Sequence, residues 1–279
     1  MIVILPTYTS KATDSLCREI AKKSKGVAFL GLSTGKDSLC AWLNLRRYFH
    51  RIIPFHCASI PHWKFVRHTL DSYQYEFNTR ILRLMGEDLT MALMRHIYQE
   101  SPWICDLTDE MLDQDDYSKL DILEYLRNRF NLPKAWCAFG ISASDSIDRR
   151  IYCNKTGGKS DINRTFYPCW DWPRSEIVRS IRESGLKLCS TYRYAKRSIG
   201  GVPCATYNRI LREHYPDDYR EMLKWYPLAE AKDFREQMLD EEWRRRKDEE
   251  IAKNGGKEPA ESSQSEEGEF ENDEKQGVL

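Results

Sequence analysis

Gly31-Leu32-Ser33-Thr34-Gly35-Lys36-Asp37-Ser38 is the stretch of this chain richest in groups that can do chemistry. Two glycines permit close backbone approach to a ligand. Ser33, Thr34 and Ser38 supply hydroxyls, and Lys36 and Asp37 place opposite charges side by side. The apolar run from Gly26 to Leu32 reads as a strand, and the segment from Ser38 to about Phe49 as a helix. A strand, a short turn and a helix N-terminus aim backbone N–H groups at one point, where an anion is favoured. The chemistry offered is phosphate binding with charge neutralisation.

The spacing departs from the Walker A pattern, G-x-x-x-x-G-K-[ST]. The glycines stand one residue too close, and Asp37 follows the lysine where a hydroxyl should meet magnesium. Ser33 to Ser38 instead resemble the PP-loop of the adenine-nucleotide α-hydrolase superfamily, S-G-G-x-D-S, with Thr34 in place of the first glycine. A later segment, Gly140-Ile141-Ser142-Ala143-Ser144-Asp145-Ser146 followed by Arg149 and Arg150, resembles the G-[IV]-R-x-x-[DE]-S-x-x-R of the phosphoadenosine phosphosulfate (PAPS) reductase branch. Ser142 stands at its early arginine. YPCWDW, Tyr167 to Trp172, and YRYAKRSIGGVPC, Tyr192 to Cys204, follow in that branch's order. On these segments the chain is similar to the PAPS reductase-like family over about residues 26–206.

The resemblance implies an α/β fold of the adenine nucleotide alpha-hydrolase-like class. Its sheet is mostly parallel, with five or six strands, helices on both faces, and the nucleotide at the C-terminal strand ends. It implies that Ser33, Thr34, Gly35, Lys36, Asp37 and Ser38 hold the phosphates of ATP or PAPS. Gly140, Ser146, Arg149 and Arg197 complete that binding set. Lys36, Asp37 and Arg149 carry the catalysis, with Asp37 near Mg²⁺. The implied reaction cleaves the nucleotide at its α-phosphate to adenylate or sulfur-modify an acceptor, nucleic acid among the candidates. One alternative is thiol-dependent reduction of PAPS or adenosine phosphosulfate. Another is a non-catalytic nucleotide-binding protein whose C-terminal helices dock a partner protein.

The branch's C-terminal cysteine motif has no counterpart after Cys204. Where a cluster-binding pair would begin stands Gly201, leaving Cys204 alone. The nine cysteines form no CxxC pair, so no iron–sulfur cluster and no structural zinc are expected, and no disulfide scaffold. His56, Cys57 and His62 would need a fourth ligand to hold zinc. Trp63, Trp170 and Trp172 read as core residues that could alternatively stack on a base. The basic residues Arg193, Lys196 and Arg197 read as a loop able to close over the ligand.

The elements that must position these groups alternate. RIIPFHCAS, TRILRL and KAWCAFGI read as further strands, with helical patterns between and after them, which is the rhythm of a parallel sheet covered on both faces. From Asn208 the chain reads as one long helix to Tyr226 and then a charged one. The expected organisation is a nucleotide-binding domain over 1–206, a helical extension over 207–253 and a disordered acidic tail over 254–279. The 279 residues carry 43 basic and 43 acidic side chains, but the segment from Ala252 onward holds three lysines against eight acids. The body is therefore mildly basic, which suits an anionic ligand. No basic leader opens the chain and no apolar run nears the roughly 20 residues of a membrane span. The location expected is cytoplasmic, with no membrane partner.

Overall fold

The computed structural model describes residues 3–95, 117–197, 199 and 205–230, with 234, 238, 241–242 and 245–246. Two compact units divide the chain, Met1–Leu228 and Ala229–Leu279. The expected acidic tail and most of the charged helix before it lie outside the described residues, as do Ser198 and Gly200 to Cys204.

In the first unit, β1 (Val27–Gly31), β2 (Arg51–Ala58), β3 (Leu82–Met85), β4 (Trp136–Phe139), β5 (Lys159–Ser160) and β6 (Thr165–Phe166) form one six-stranded sheet. Its order is β3-β2-β1-β4-β6-β5. All neighbours run parallel except β5 and β6, which pair antiparallel at one edge. This is the mostly parallel α/β sheet that the sequence predicts. Gly31 lies opposite Phe139, so β1 and β4 end level.

Strands buried on both faces read as continuous apolar runs rather than as alternations. In β1, Ala28 and Leu30 face one core with residues of α1 (Lys11–Lys23), α2 (Lys36–Leu45), α3 (Lys64–Phe77) and α7 (Arg174–Ser184). Phe29 faces the other core, with Cys137 of β4 and Ile122, Leu123 and Leu126 of α5 (Lys119–Arg129). Helices α4 (Glu87–Arg95) and α6 (Ile147–Thr156) follow β3 and β4. Every residue of α2 from Ser38 to Leu45 is buried, and its Trp42 stacks on Phe77 of α3 at 4.0 Å. Burying a side chain of that size contributes on the order of 2–3 kcal/mol. The helix behind the candidate loop is therefore a fixed post.

Two elements differ from expectation. The sequence reading assigned nothing before β1, yet α1 forms there. Ser10 Oγ accepts the Thr13 N–H at 3.0 Å, and Leu16, Cys17 and Ile20 share one buried face. The single helix expected over 208–226 is two, α9 (Ala205–His214) and α10 (Pro216–Trp225). Pro216 has no N–H to continue a helix but fits the first turn of a new one. A one-turn helix, α8 (Tyr192–Ala195), precedes them. Among the described residues no helix is long and apolar enough to cross a membrane.

Candidate functional site

The strand order reverses at β1: one side leads through α2 to β2, and β4 is the neighbour on the other. Open α/β sheets bind ligands outside the carboxyl ends of the strands at such a point. Residues 32–35, joining β1 to α2, sit there.

The loop is held from below. Leu32 N–H donates to Phe55 O at 2.8 Å, and His56 Nδ1–H donates to Leu32 O at 2.7 Å. Because a carbonyl only accepts, that ring nitrogen carries the proton. Burial lowers the pKa of His56 and keeps the ring neutral. His56 is thus committed to the loop backbone, whereas His62 is exposed.

Thr34 has φ 62° and is 1% exposed. A glycine takes that left-handed conformation freely. A β-branched residue does so at a cost on the order of 1–3 kcal/mol. The first glycine of the resembled pattern therefore has a conformational reason, and this chain keeps the conformation without the residue. Gly35 caps α2 with extended backbone and no side-chain hydrogen bond, leaving first-turn N–H groups to other acceptors. Ser38 Oγ accepts the Ser33 N–H at 3.2 Å and donates to Gly35 O at 2.9 Å, bracing the turn across its mouth.

Lys36 and Asp37 face each other: Lys36 Nζ lies 2.9 and 2.7 Å from the two Asp37 carboxylate oxygens. The charges expected at phosphate and cation neutralise one another here, with side chains 18% and 20% exposed. Behind them, a Cβ on Gly140 would stand 2.2 Å from Ser38 N and 2.4 Å from Asp37 C. The chain leaving β4 thus lies directly against the first turn of α2, which only glycine allows.

Ser33 to Ser38 and Gly140 form one constellation. The other expected residues have partners of their own. Ser146 Oγ caps α6 by accepting the Arg149 N–H at 3.2 Å, and Arg149 Nη1 lies 2.8 Å from Asp145 Oδ2. Arg197 lies over the Tyr207 ring at 4.9 Å. Among the described residues none of the three hydrogen-bonds or ion-pairs with the loop. The residue missed from the sequence is Tyr192, whose phenol oxygen accepts the Lys36 N–H at 2.8 Å. Its segment was singled out for positive charge, and nothing in that charge pattern marks the phenol.

The tryptophans serve the interior. Trp172 meets Tyr8 edge-on at 5.1 Å, and Trp63 Nε1–H donates to Asp218 O at 2.9 Å. The described cysteines are free; all are buried except the partly covered Cys57. Burial pushes the Cys17 thiol up to about 12 and the Cys57 thiol to about 11, so neither offers a thiolate nucleophile. Cys204 lies outside the described residues.

No protein-family model matches the chain, and no curated protein matches it. Solved structures do. The U34-tRNA thiolase NcsA from Methanococcus maripaludis, with its [4Fe–4S] cluster, is 15% identical and covers 78% of this chain and 79% of its own, with a TM-score of 0.42. The NH3-dependent NAD synthetase from Campylobacter jejuni, in complex with nitrate, is 15% identical over 81% of this chain and 93% of its own, at 0.42. The PAPS reductase from Candida auris, in a phosphate complex, is 12% identical over 70% of this chain and 97% of its own, at 0.43. A reductase of the branch resembled in sequence is thus among the similar structures. At these identities the likeness concerns fold, not reaction.

The first of these structures corrects the cofactor expectation, which was ATP or PAPS with Mg²⁺ and neither cluster nor zinc. A similar chain holds a [4Fe–4S] cluster. The expected exclusion of a cluster is therefore not retained, and ATP with Mg²⁺ is not established. The physical reason is that folding assembles cysteines across the sequence. Cys169 Sγ lies 3.8 Å from Cys40 Sγ, 129 residues away. Among the described residues no group of three or more His, Cys, Asp or Glu is placed to hold a metal ion.

Proposed function

We propose that the chain is a PP-loop enzyme that binds an adenine nucleotide on residues 33–38 and cleaves it at the α-phosphate, adenylating or sulfur-modifying an acceptor. What supports the reading is the place of the loop. It lies at the level ends of β1 and β4, where the strand order reverses, on the N-terminus of a fully packed helix, with the Gly140 backbone pressed against its first turn. The chain supplies N–H groups and helix polarity to the phosphates. Lys36 turns from Asp37 to oppose phosphate charge, and Asp37 is released for the reacting end. Such transfer depends on positioning and charge neutralisation rather than on a covalent protein group. Among the described residues no cysteine combines exposure with a lowered pKa, and Cys204, on which the thiol-dependent alternative depends, lies outside them.

The test is incubation with α-labelled ATP and candidate acceptors. AMP or an adenylate with pyrophosphate is expected, and Asp37→Asn should slow its release by about 10²-fold. Release of ADP and inorganic phosphate overturns the reading.

A further inference from the structure

A surface groove of about 740 Å³ lies between α8 and α9. Arg193, Lys196, Arg197 and Arg209 bring four cations to it, against the single carboxylate of Glu213. Aromatic rings alternate with them. Tyr194 stacks on His214 with ring centres 3.6 Å apart and planes at 10°, and Tyr194 remains 45% exposed. Arg197 covers the Tyr207 ring. Among the described residues Arg193 and Arg209 make no ion pair, so their charge is turned toward solvent.

We infer that this groove binds single-stranded nucleic acid, and that this is the acceptor class of the proposed enzyme; the second half rests on the reading of the loop given above. Small ligands are mostly enclosed, with 70–90% of their surface buried. Here Arg193, Tyr194, Lys196, Arg197, Arg209 and His214 are all exposed, which suits a polymer lying across the surface. Cations with interleaved stacking rings are what a single strand needs, since phosphates meet the charges and unpaired bases meet the rings. A duplex keeps its bases stacked inside and has no use for the rings. The groove also adjoins the loop, because Tyr192, one residue before Arg193, receives the Lys36 N–H.

Fluorescein-labelled U-rich RNA and T-rich DNA of about 12 nucleotides should bind the full chain without added nucleotide, read by anisotropy over a salt series. The better ligand of the two identifies the nucleic acid. The Arg193→Gln/Arg209→Gln double variant should lower the log–log salt slope by about 1.4, close to 0.7 per lost phosphate contact, and weaken binding roughly tenfold. Lys22→Gln on α1 should change neither. Absence of binding to both strands at about 50 mM salt, an unchanged slope in the double variant, or equal binding of duplex overturns the inference. Binding lost while labelled ATP is still cleaved at the α-phosphate sinks the groove alone. Intact binding with ADP as product sinks the loop reading alone.

Discussion

His56 shows how one residue's environment sets a measurable property. Its ring is buried, neutral and bonded to Leu32 O, with a pKa lowered from the usual 6.5, chiefly by burial. The unfolded chain therefore takes up this proton at higher pH than the folded one does. Stability contributed by neutral His56 is present above about 6.5 and is lost as pH falls through that value toward the folded pKa. His56→Asn, whose amide nitrogen can replace Nδ1, should flatten the urea-denaturation midpoint between about pH 7 and 5. A curve as steep as that of the wild type would show that another group governs it. From the sequence His56 is legible as a member, with Cys57 and His62, of a zinc set that lacks a fourth ligand. Whether it faces a ligand or a carbonyl depends on the strand register that sets Phe55 opposite Gly31. Thr34 was legible as a departure from pattern, but its positive φ was not, since the same residue in an ordinary turn would carry no strain.

At the scale of elements, the decisive contact is between the end of β4 and the start of α2. Gly140→Ala should destabilise by about 3 kcal/mol, because its Cβ would meet backbone atoms that a buried helix cannot yield. Chemical denaturation measures the loss. A change below about 1 kcal/mol would mean that the first turn of α2 moves aside. The strands β1, β2 and β4 are readable because burial on both faces makes them largely apolar runs, and α7 because Pro173 and Gly185 bracket it; β3 alternates half-buried and exposed residues. α1 is not, since its identity rests on four buried positions, one of them the polar Thr13, and one serine cap. The break at Tyr215 was misread because the apolar pattern continues across it on both sides, although Pro216 was there to be weighed.

At the scale of the molecule, the sheet order turns a local motif into a location. Six residues resemble a type of loop; only the reversal at β1 puts it where open α/β sheets bind ligands. A ligand bound there would stabilise the folded first unit by mass action. ATP at about 100 times its dissociation constant should raise unfolding free energy by about 2.7 kcal/mol, read as a rise of several degrees in a thermal melt. No shift at saturating ATP would contradict the loop reading. The basic groove was legible as a charge run, but its shape was not, because Arg193 and Arg209 come from helices that only the tertiary fold brings together.

The Lys36 N–H makes one strong hydrogen bond at a time, and here its partner is the phenol of Tyr192. An anion that took this donor would compete with Tyr192, whose phenol joins the one-turn helix Tyr192–Ala195 to the loop. Arg193 and Tyr194 ride on that same turn. The loop and the turn that carries part of the groove are thus joined through a single backbone donor. Any free energy that links the two acts equally in both directions.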